Sequence, residues 1–278
     1  MRSYIKYVFV GLLFFKSVLA QNSVDAQLDY ANKIFESSKY FDAITEYKRV
    51  LFFSSDKKYY SKLYYQIALC YKAGAHLDEA IKYFVLSEKH ASNDSLAFNA
   101  KIEIIRCNIL RKSTARALQL CNELEDDIRF ASKKDEIYYW RGWAFMFADD
   151  WENAAKCFSQ SKDYNELIML CGQVVKDKVS VTFAKVISYI LPGAGQIYSG
   201  KIFSGLMSLV WSLAAGYLTV NAFMANRAFD GLLIAELVWL RFYRGNLENA
   251  EDFAVEKNML AANKTLKYLE NEYKGVKP

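Results

Sequence analysis

Few residues of this chain have the types and the spacing that catalysis requires. An acid–base site built on histidine can use only His76 or His90, and His76 lies in a polar turn that suits an exposed structural role. The sequence contains no G-x-S-x-G, H-E-x-x-H or Walker motif. Gly193 and Gly195 lack the third glycine of a dinucleotide-binding loop. The sequence therefore predicts a protein without enzymatic activity and without a cofactor.

The five cysteines, at positions 70, 107, 121, 157 and 171, form no C-x-x-C pair and have no histidine at ligand spacing, so we expect no metal site. An odd number of cysteines argues against a complete disulfide framework. The thiols are therefore expected to pack as small apolar groups. A disulfide between Cys70 and Cys107 is the alternative for that pair.

One ionisable residue, Glu236, stands inside an apolar stretch that runs from residue 231 to residue 240. A carboxylate within a membrane helix costs about 2.5–3.5 kcal/mol on insertion scales, so it usually faces a partner or water. Arg227, Asn221 and a separate subunit are the candidate partners. Alternatively, the stretch is too shallow to bury the carboxylate, which then lies among lipid headgroups.

The elements that must position these residues are helices. The chain has 278 residues, a net charge of +5 and only two prolines, Pro192 and Pro278. Because proline interrupts helices, its scarcity favours long unbroken ones. Lysine and arginine are spread along the chain instead of clustered, so we expect no nucleic-acid partner.

Residues 1–20 have the pattern of a secretory signal peptide. Arg2 and Lys6 precede an apolar run from residue 7 to residue 15, and Val18 and Ala20 occupy the small-residue positions of a cleavage site. The run is shorter than the roughly 20 residues that span a bilayer. We expect cleavage after Ala20 and export of the chain, with an uncleaved membrane anchor as the alternative.

A repeat with a period of 37 residues covers residues 24 to 161. In each copy an alanine is followed four residues later by a bulkier side chain, and the pairs are Ala43 and Tyr47, Ala80 and Phe84, Ala117 and Cys121, and Ala154 and Phe158. Twelve residues before each alanine stand Ala31, Ala68, Ile105 and Gly142. Small residues let two helices fold back closely on each other, and pairs that cannot bury their apolar faces alone stack on their neighbours. The spacing predicts four stacked helix pairs.

This pattern resembles that of the tetratricopeptide repeat family, although the usual repeat has about 34 residues and the third copy departs at Ile105, Asn108 and Cys121. The resemblance implies a superhelix of helix pairs whose first helices line a concave groove that binds peptides or protein surfaces. The family's groove positions fall here on aromatic, basic, amide and apolar side chains: Asn32, Tyr65, Leu69, Lys72, Arg106, Tyr139 and Trp143. Such a groove suits a segment with acidic or aromatic side chains. The alternative is that Leu69 and Trp143 pack between helices.

The composition changes near residue 180. No charged residue occurs from 202 to 225, a length that can cross a bilayer, and a second apolar stretch, 231–240, follows a short polar tip. The two stretches predict a helical membrane hairpin, with a buried hairpin of a soluble domain as the alternative. The segment before them resembles the opening of the TM2-type membrane domain at Pro192, Gly193, Gly195, Gln196, Tyr198 and Gly200. This resemblance implies a membrane location and no particular activity.

Together these features predict an all-α protein with a tetratricopeptide-like helical-repeat solenoid, a membrane helical hairpin and a C-terminal amphipathic helix. The expected divisions are the signal peptide at 1–20, the repeats at 21–179, the hairpin at 180–245, and the C-terminal helix and tail at 246–278. Basic residues flank the hairpin, which favours the cytoplasm for them, but long domains translocate despite their charge. We therefore expect the repeats on the periplasmic or extracytoplasmic side of a membrane.

Protein binding without catalysis is the function that these features predict. We expect a scaffold of the bacterial exported type that recruits or organises cell-envelope proteins. A protein or peptide partner and the lipid bilayer are the two surfaces that it would meet. The alternative is a subunit of a membrane transport or secretion complex, with the hairpin as part of the conduit.

The mature N-terminus tests the expected export. If the signal peptide is cleaved after Ala20, sequencing of the mature protein will begin at Gln21. A mature chain that still begins at Met1 would contradict the cleavage, together with the extracytoplasmic location of the repeats that depends on it.

Overall fold

The computed structural model describes residues 24–54, 57–160 and 164–278, and the predicted signal peptide lies outside them. The regular secondary structure of these residues is entirely helical, which confirms the predicted all-α class. The chain forms two compact units that divide between Ile168 and Met169. This division falls inside the helix Asn165–Asp177. The division that the sequence predicted, after residue 179, lies just beyond the end of the same helix.

The described residues of the first unit form four helix pairs. Their helices are 24–36 (α1) and Tyr40–Phe53 (α2), Tyr60–Ala73 (α3) and Leu77–Lys89 (α4), Asp94–Leu110 (α5) and Thr114–Asp126 (α6), and Lys134–Phe147 (α7) and Trp151–Phe158 (α8). Short 3-10 turns at Lys57–Tyr59 and Ile128–Lys133 precede α3 and α7, and a ninth helix, Asn165–Asp177 (α9), follows α8. From α2 to α8 each helix packs against the next, and α5 also packs against both α3 and α7.

The positions that define the 37-residue repeat are among the most deeply buried positions of these pairs. The alanine and the bulkier residue of every copy have no exposed surface, and the same holds for Ala31, Ala68 and Ile105. The third copy is buried as completely as the others, although Cys121 replaces an aromatic residue there. The repeat therefore marks the contacts between helices rather than a surface feature.

The turn between the two helices has the same backbone conformation in all four pairs. One residue in each turn has a left-handed conformation, with φ of 60° at Ser38, Ala75 and Lys112 and 63° at Asp149. The following residue donates its N–H to the carbonyl five positions earlier, at Ile34, Tyr71, Asn108 and Phe145. This bond satisfies a carbonyl that the end of the first helix leaves unpaired. The third pair thus has the same turn as the other three.

Two thiols of this unit, those of Cys70 and Cys107, are buried. Cys70 and Cys107 are free, and burial raises the pKa of Cys70 to about 12 and that of Cys107 to about 11. Because only the thiolate attacks or ligates, both remain inert near neutral pH. No disulfide joins the two residues, and each packs as a small apolar side chain.

The second unit begins within α9 and is arranged around one long helix. Its other helices are Val181–Ile190 (α10), Ala194–Tyr198 (α11), Ile202–Met224 (α12), Ala228–Ile234 (α13) and Leu240–Asn271 (α14), and a π-helical segment, Ala235–Trp239, joins α13 to α14. Helices α10, α11 and α12 pack against α14, and α13 packs against α12. Helical structure runs unbroken from Ala228 to Asn271, so the second apolar stretch and the predicted C-terminal helix form one continuous element.

Helix α12 is the one helix of the described residues that is long and apolar enough to cross a membrane. The assignment rests on its length and composition. It coincides with the first of the two predicted membrane stretches.

A substitution at Gly142 tests how closely the two helices of the fourth pair, α7 and α8, approach each other. A Cβ atom at this position would lie 2.6 Å from the buried ring of Phe158. We expect Gly142→Ala to lower the free energy of unfolding by about 1–3 kcal/mol, as overpacking does. Gly74→Ala is the control, because the nearest atom to its Cβ position lies 3.5 Å away. Denaturant unfolding measures both variants, and equal stabilities would contradict the close approach.

Candidate protein-binding surface

Helices α3, α5 and α7 bring the side chains of three helix pairs together around one buried carboxylate. Glu103 on α5 is only 5% exposed. Lys72 on α3 places its Nζ atom 2.9 Å from Oε2 of Glu103. Arg106, one helical turn beyond Glu103, donates a hydrogen bond to Oε1. Two cations from neighbouring helices thus share a single anion.

Arg106 also connects α5 to α7. The central carbon of its guanidinium group lies 4.8 Å from the centre of the Trp140 ring. Trp140 is 3% exposed, so this cation–π contact lies at the edge of the interior, where it is stronger than at an open surface. The contact therefore links α5 to α7.

Tyr65 on α3 completes the cluster. Its pKa is raised to about 12, first by burial and then by the negative charge of Glu103, and the charge of Arg106 opposes the shift. The phenol therefore keeps its proton near neutral pH and can donate a hydrogen bond. We refer to Tyr65, Lys72, Glu103, Arg106 and Trp140 together as the cation surface.

The two cations of the cation surface are partly exposed. The side chains of Lys72 and Arg106 are 14% and 21% exposed, and the charge of Glu136 acts on Tyr65 in addition to that of Glu103. Ion pairs in such a partly desolvated place are less screened than those on an open surface. Guanidinium and ammonium groups bind carboxylates through short, charge-assisted hydrogen bonds. The arrangement is therefore suited to an incoming carboxylate.

The structure brings together three of the residues predicted for the groove, namely Tyr65, Lys72 and Arg106. Leu69 lies between Tyr65 and Lys72 on α3 and is half-buried against the core of the second pair. Asn32 lies in the first pair, where its side-chain oxygen accepts a hydrogen bond from the Tyr47 hydroxyl at 2.8 Å. The side-chain oxygen of Asn32 is therefore already hydrogen-bonded within the first helix pair.

The other two predicted groove residues, Tyr139 and Trp143, are interior. They are 5% and 2% exposed. The ring of Tyr139 lies 4.6 Å from that of Tyr164 and 5.9 Å from that of Phe158. Because both side chains pack inside the fourth pair, neither presents its ring to a ligand in this structure.

Two members of the cation surface were missed from sequence, and the repeat contained a signal for both. Glu103 and Trp140 stand 37 residues apart, and Gln66 stands 37 residues before Glu103. A polar or indole group at the same position of three successive copies indicates a shared environment. In addition, Arg106 follows Glu103 three residues later, a spacing at which two opposite charges meet on one face of a helix.

In the second unit, the glycine-rich segment resembling the TM2-type opening forms a tight turn. Gly193 has a φ of 88°, and a Cβ atom there would lie 2.0 Å from the carbonyl oxygen of Gly205. Its N–H donates to Oδ1 of Asn246 at 2.6 Å. Only glycine fits this position, because it combines a left-handed conformation with direct contact between two backbones.

Gln196 is the polar centre of this turn and is fully buried. Its amide nitrogen donates to Ser208 at 2.8 Å, and its amide oxygen accepts from Ser204 at 2.7 Å. Gly195 donates its N–H to the Ser188 hydroxyl at 2.9 Å. These bonds join α10, α11 and α12, and their geometry is that of a structural network.

The remaining motif residues shape the chain around this network. The Tyr198 hydroxyl accepts a hydrogen bond from the N–H of Ser180 at 3.3 Å. Gly200 has a φ of 91° and lets the chain turn into α12, and Pro192 follows the end of α10. The predicted motif is therefore a folding element of the second unit.

Glu236 is exposed and lies in the π-helical segment. Among the described residues its carboxylate forms no ion pair. The candidate partner Arg227 instead lies 3.7 Å from the carboxylate of Asp230. Glu236 is therefore available at the surface of the second unit.

Comparison of the chain with protein-family models, with curated proteins and with solved structures found no match.

Replacing Glu103 tests the balance of charges in the cation surface. Glu103→Gln leaves two partly buried cations without their anion. We expect it to lower the free energy of unfolding by about 3 kcal/mol, the low end of the range for a broken buried pair, because both cations are partly exposed. Glu79→Gln is the control, since its pair with Lys82 is 43% and 71% exposed and contributes less than about 1 kcal/mol. Similar losses in the two variants would show that Glu103 is not a buried partner.

Proposed function

We propose that this protein is a membrane-anchored scaffold that binds another protein and catalyses no reaction. In this proposal the four helix pairs form a tetratricopeptide-like solenoid, and the second unit is a TM2-like membrane hairpin that anchors it. The proposed place is a cell envelope, with the helix pairs on the extracytoplasmic side. The buried 37-residue repeat and the apolar helix α12 support this arrangement.

The observation that carries the proposal is the pair of cations, Lys72 and Arg106, around the single carboxylate of Glu103. Both cations are partly exposed, so a carboxylate of a partner can form charge-assisted hydrogen bonds with them. The proposed ligand is therefore an acidic segment of another protein.

The dimensions favour a chain segment over a small molecule. Helices α3, α5 and α7 lie side by side, and packed helices are about 8–10 Å apart, so the three axes extend over about 20 Å. An extended peptide rises about 3.3 Å per residue, so about six residues would cross all three helices. Tyr65, which is half-buried, offers an aromatic contact beside the cations for such a segment.

The exposed surface of α12 supports the membrane location. Phe203, Leu213, Tyr217 and Met224 are 76%, 65%, 70% and 78% exposed, and only 22% of the most apolar window of the helix is buried. The core helix of a soluble protein would bury such side chains, since each contributes about 1.5–3 kcal/mol when removed from water. Lipid is the environment that removes this cost.

Peptide binding tests the proposed recognition. We expect an array of acidic, basic and neutral decapeptides, each with one aromatic residue, to retain the full chain only on the acidic members. In fluorescence titrations with a retained peptide, Lys72→Met should weaken binding at least tenfold, which corresponds to about 1.4 kcal/mol. The affinity should also fall as the salt concentration rises.

Lys82→Met provides the matched control, because Lys82 belongs to an exposed ion pair on α4 outside the cation surface. It should change the affinity less than twofold, and circular dichroism should show equal helical content for both variants. Equal retention of acidic and basic peptides would refute the proposed recognition, as would equal affinities of the two variants.

A further inference from the structure

A cavity of about 310 Å³ lies in the first unit, between the start of α3, the end of α4 and the start of α5. Its size is near the lower limit for small ligand sites, which measure about 300–1,000 Å³. Lysines and neutral polar side chains line most of it, and none of its described lining residues carries a negative charge. Lys58 and Lys62 supply two positive charges.

Two of the lining residues, Ser61 and Ser87, serve the fold. The Ser61 hydroxyl donates to the carbonyl of Ser87 at 2.9 Å, and the Ser87 hydroxyl donates to the carbonyl of Ser61 at 2.8 Å. Both residues are buried, so these reciprocal bonds join α3 to α4. Because their donors are used within the protein, other side chains must bind a ligand.

Three other polar side chains of the cavity, those of Lys62, Tyr65 and Asn99, are not engaged. None of them forms a hydrogen bond or an ion pair with another described residue. The Tyr65 ring packs against Phe84, with 5.3 Å between the ring centres, and this contact leaves the hydroxyl unused. An ammonium group, a phenol and a primary amide can all donate hydrogen bonds, so together they suit a group with several acceptor oxygens.

The carboxylates near the cavity lie outside it, and most of them are paired. Glu136 on α7 acts on Tyr65, less strongly than Glu103 does, and does not line the cavity. The other three belong to ion pairs, namely Glu88 with Lys101, Asp94 with Arg129, and Glu103 with Lys72 and Arg106. A carboxylate that enters the cavity would therefore meet two lysines and no anion among the described lining residues.

The cavity continues into the cation surface, because Tyr65 belongs to both. Along α5, Asn99 precedes Arg106 by seven residues, and along α3, Lys62 precedes Lys72 by ten. At about 1.5 Å per residue, these intervals are about 10 Å and about 15 Å. A single chain segment can therefore reach both places at once.

We propose that this cavity binds a second carboxylate of the acidic segment that the cation surface recognises. Side chains alternate along an extended segment, so residues i and i+4 face the same way and lie about 13 Å apart. This separation lies within the interval between the cavity and the two cations. The inference rests on the proposed function, and it selects those acidic segments that have two acidic residues four positions apart.

Three peptides test this spacing. Each is a decapeptide with blocked termini, one tyrosine, a neutral fluorophore and otherwise neutral residues. The first contains one glutamate, the second two glutamates four positions apart, and the third two adjacent glutamates. In fluorescence titrations with the full chain, we expect the spaced peptide to bind about tenfold tighter than the single-glutamate peptide. The adjacent peptide has the same charge but should gain less than about threefold, because its second carboxylate stays in solvent, where ion pairs contribute little.

Substitutions in the cavity assign the gain to it. Lys62→Met should weaken binding of the spaced peptide about fivefold and that of the single-glutamate peptide less than about twofold. Asn99→Ala should weaken binding of the spaced peptide about threefold. Both side chains are exposed, so neither change should affect folding. Lys82→Met, in an exposed ion pair on α4, is the control and should change neither affinity.

The possible outcomes distinguish this inference from the proposed function. Equal affinities of the spaced and adjacent peptides, or equal effects of Lys62→Met on the spaced and single-glutamate peptides, would overturn the second carboxylate site. The proposed function would stand in that case, provided that Lys72→Met still weakened binding of all three peptides. Failure of all three peptides to bind would overturn the proposed function, and the second carboxylate site with it.

Discussion

Both units depend on the close approach of backbones at residues with little or no side chain. In the first unit, the repeated alanines have no exposed surface, Gly142 is buried, and the bulkier residue of each copy fills the space beside them. In the second unit, Gly193 and Gly205 touch so closely that no other residue fits at Gly193. Such contacts bury apolar surface at interior density, and a single added methyl group disturbs them. The helices can then meet at fixed positions.

These fixed positions determine where polar groups can be paired. Because α3, α5 and α7 pack side by side, Lys72, Glu103 and Arg106 meet although they come from two helix pairs. In the second unit, the turn at Gly193 is held by Asn246, which lies more than fifty residues further along the chain. Buried polar groups are costly unless they are paired, so each network requires the fold that brings its members together.

The repeat and the apolar helix could be predicted from sequence because both are written as periodic or continuous patterns. Every small and bulky position of the repeat is buried, and α12 coincides with the charge-free stretch. The four left-handed turns could not be predicted, since Ser38, Ala75, Lys112 and Asp149 share no residue type and none is glycine. Three members of the cation surface, Tyr65, Lys72 and Arg106, are among the groove positions that the family resemblance implied. Glu103 and Trp140 depend on contacts between helices, which a family pattern of single positions does not contain. For the same reason Tyr139 and Trp143 are interior, where the pattern predicted a groove.

The most direct test of the account is alkaline carbonate extraction of membranes from cells that express the full chain. If α12 crosses the bilayer, the parent chain stays in the membrane pellet and is released only by detergent. Leu206→Arg combined with Leu218→Arg places two charges on the exposed face of α12, where each costs about 2.5–3.5 kcal/mol on insertion scales, and should release the chain into the soluble fraction. A parent chain that is soluble without detergent, or a double variant that behaves like the parent, would contradict a membrane-anchored scaffold.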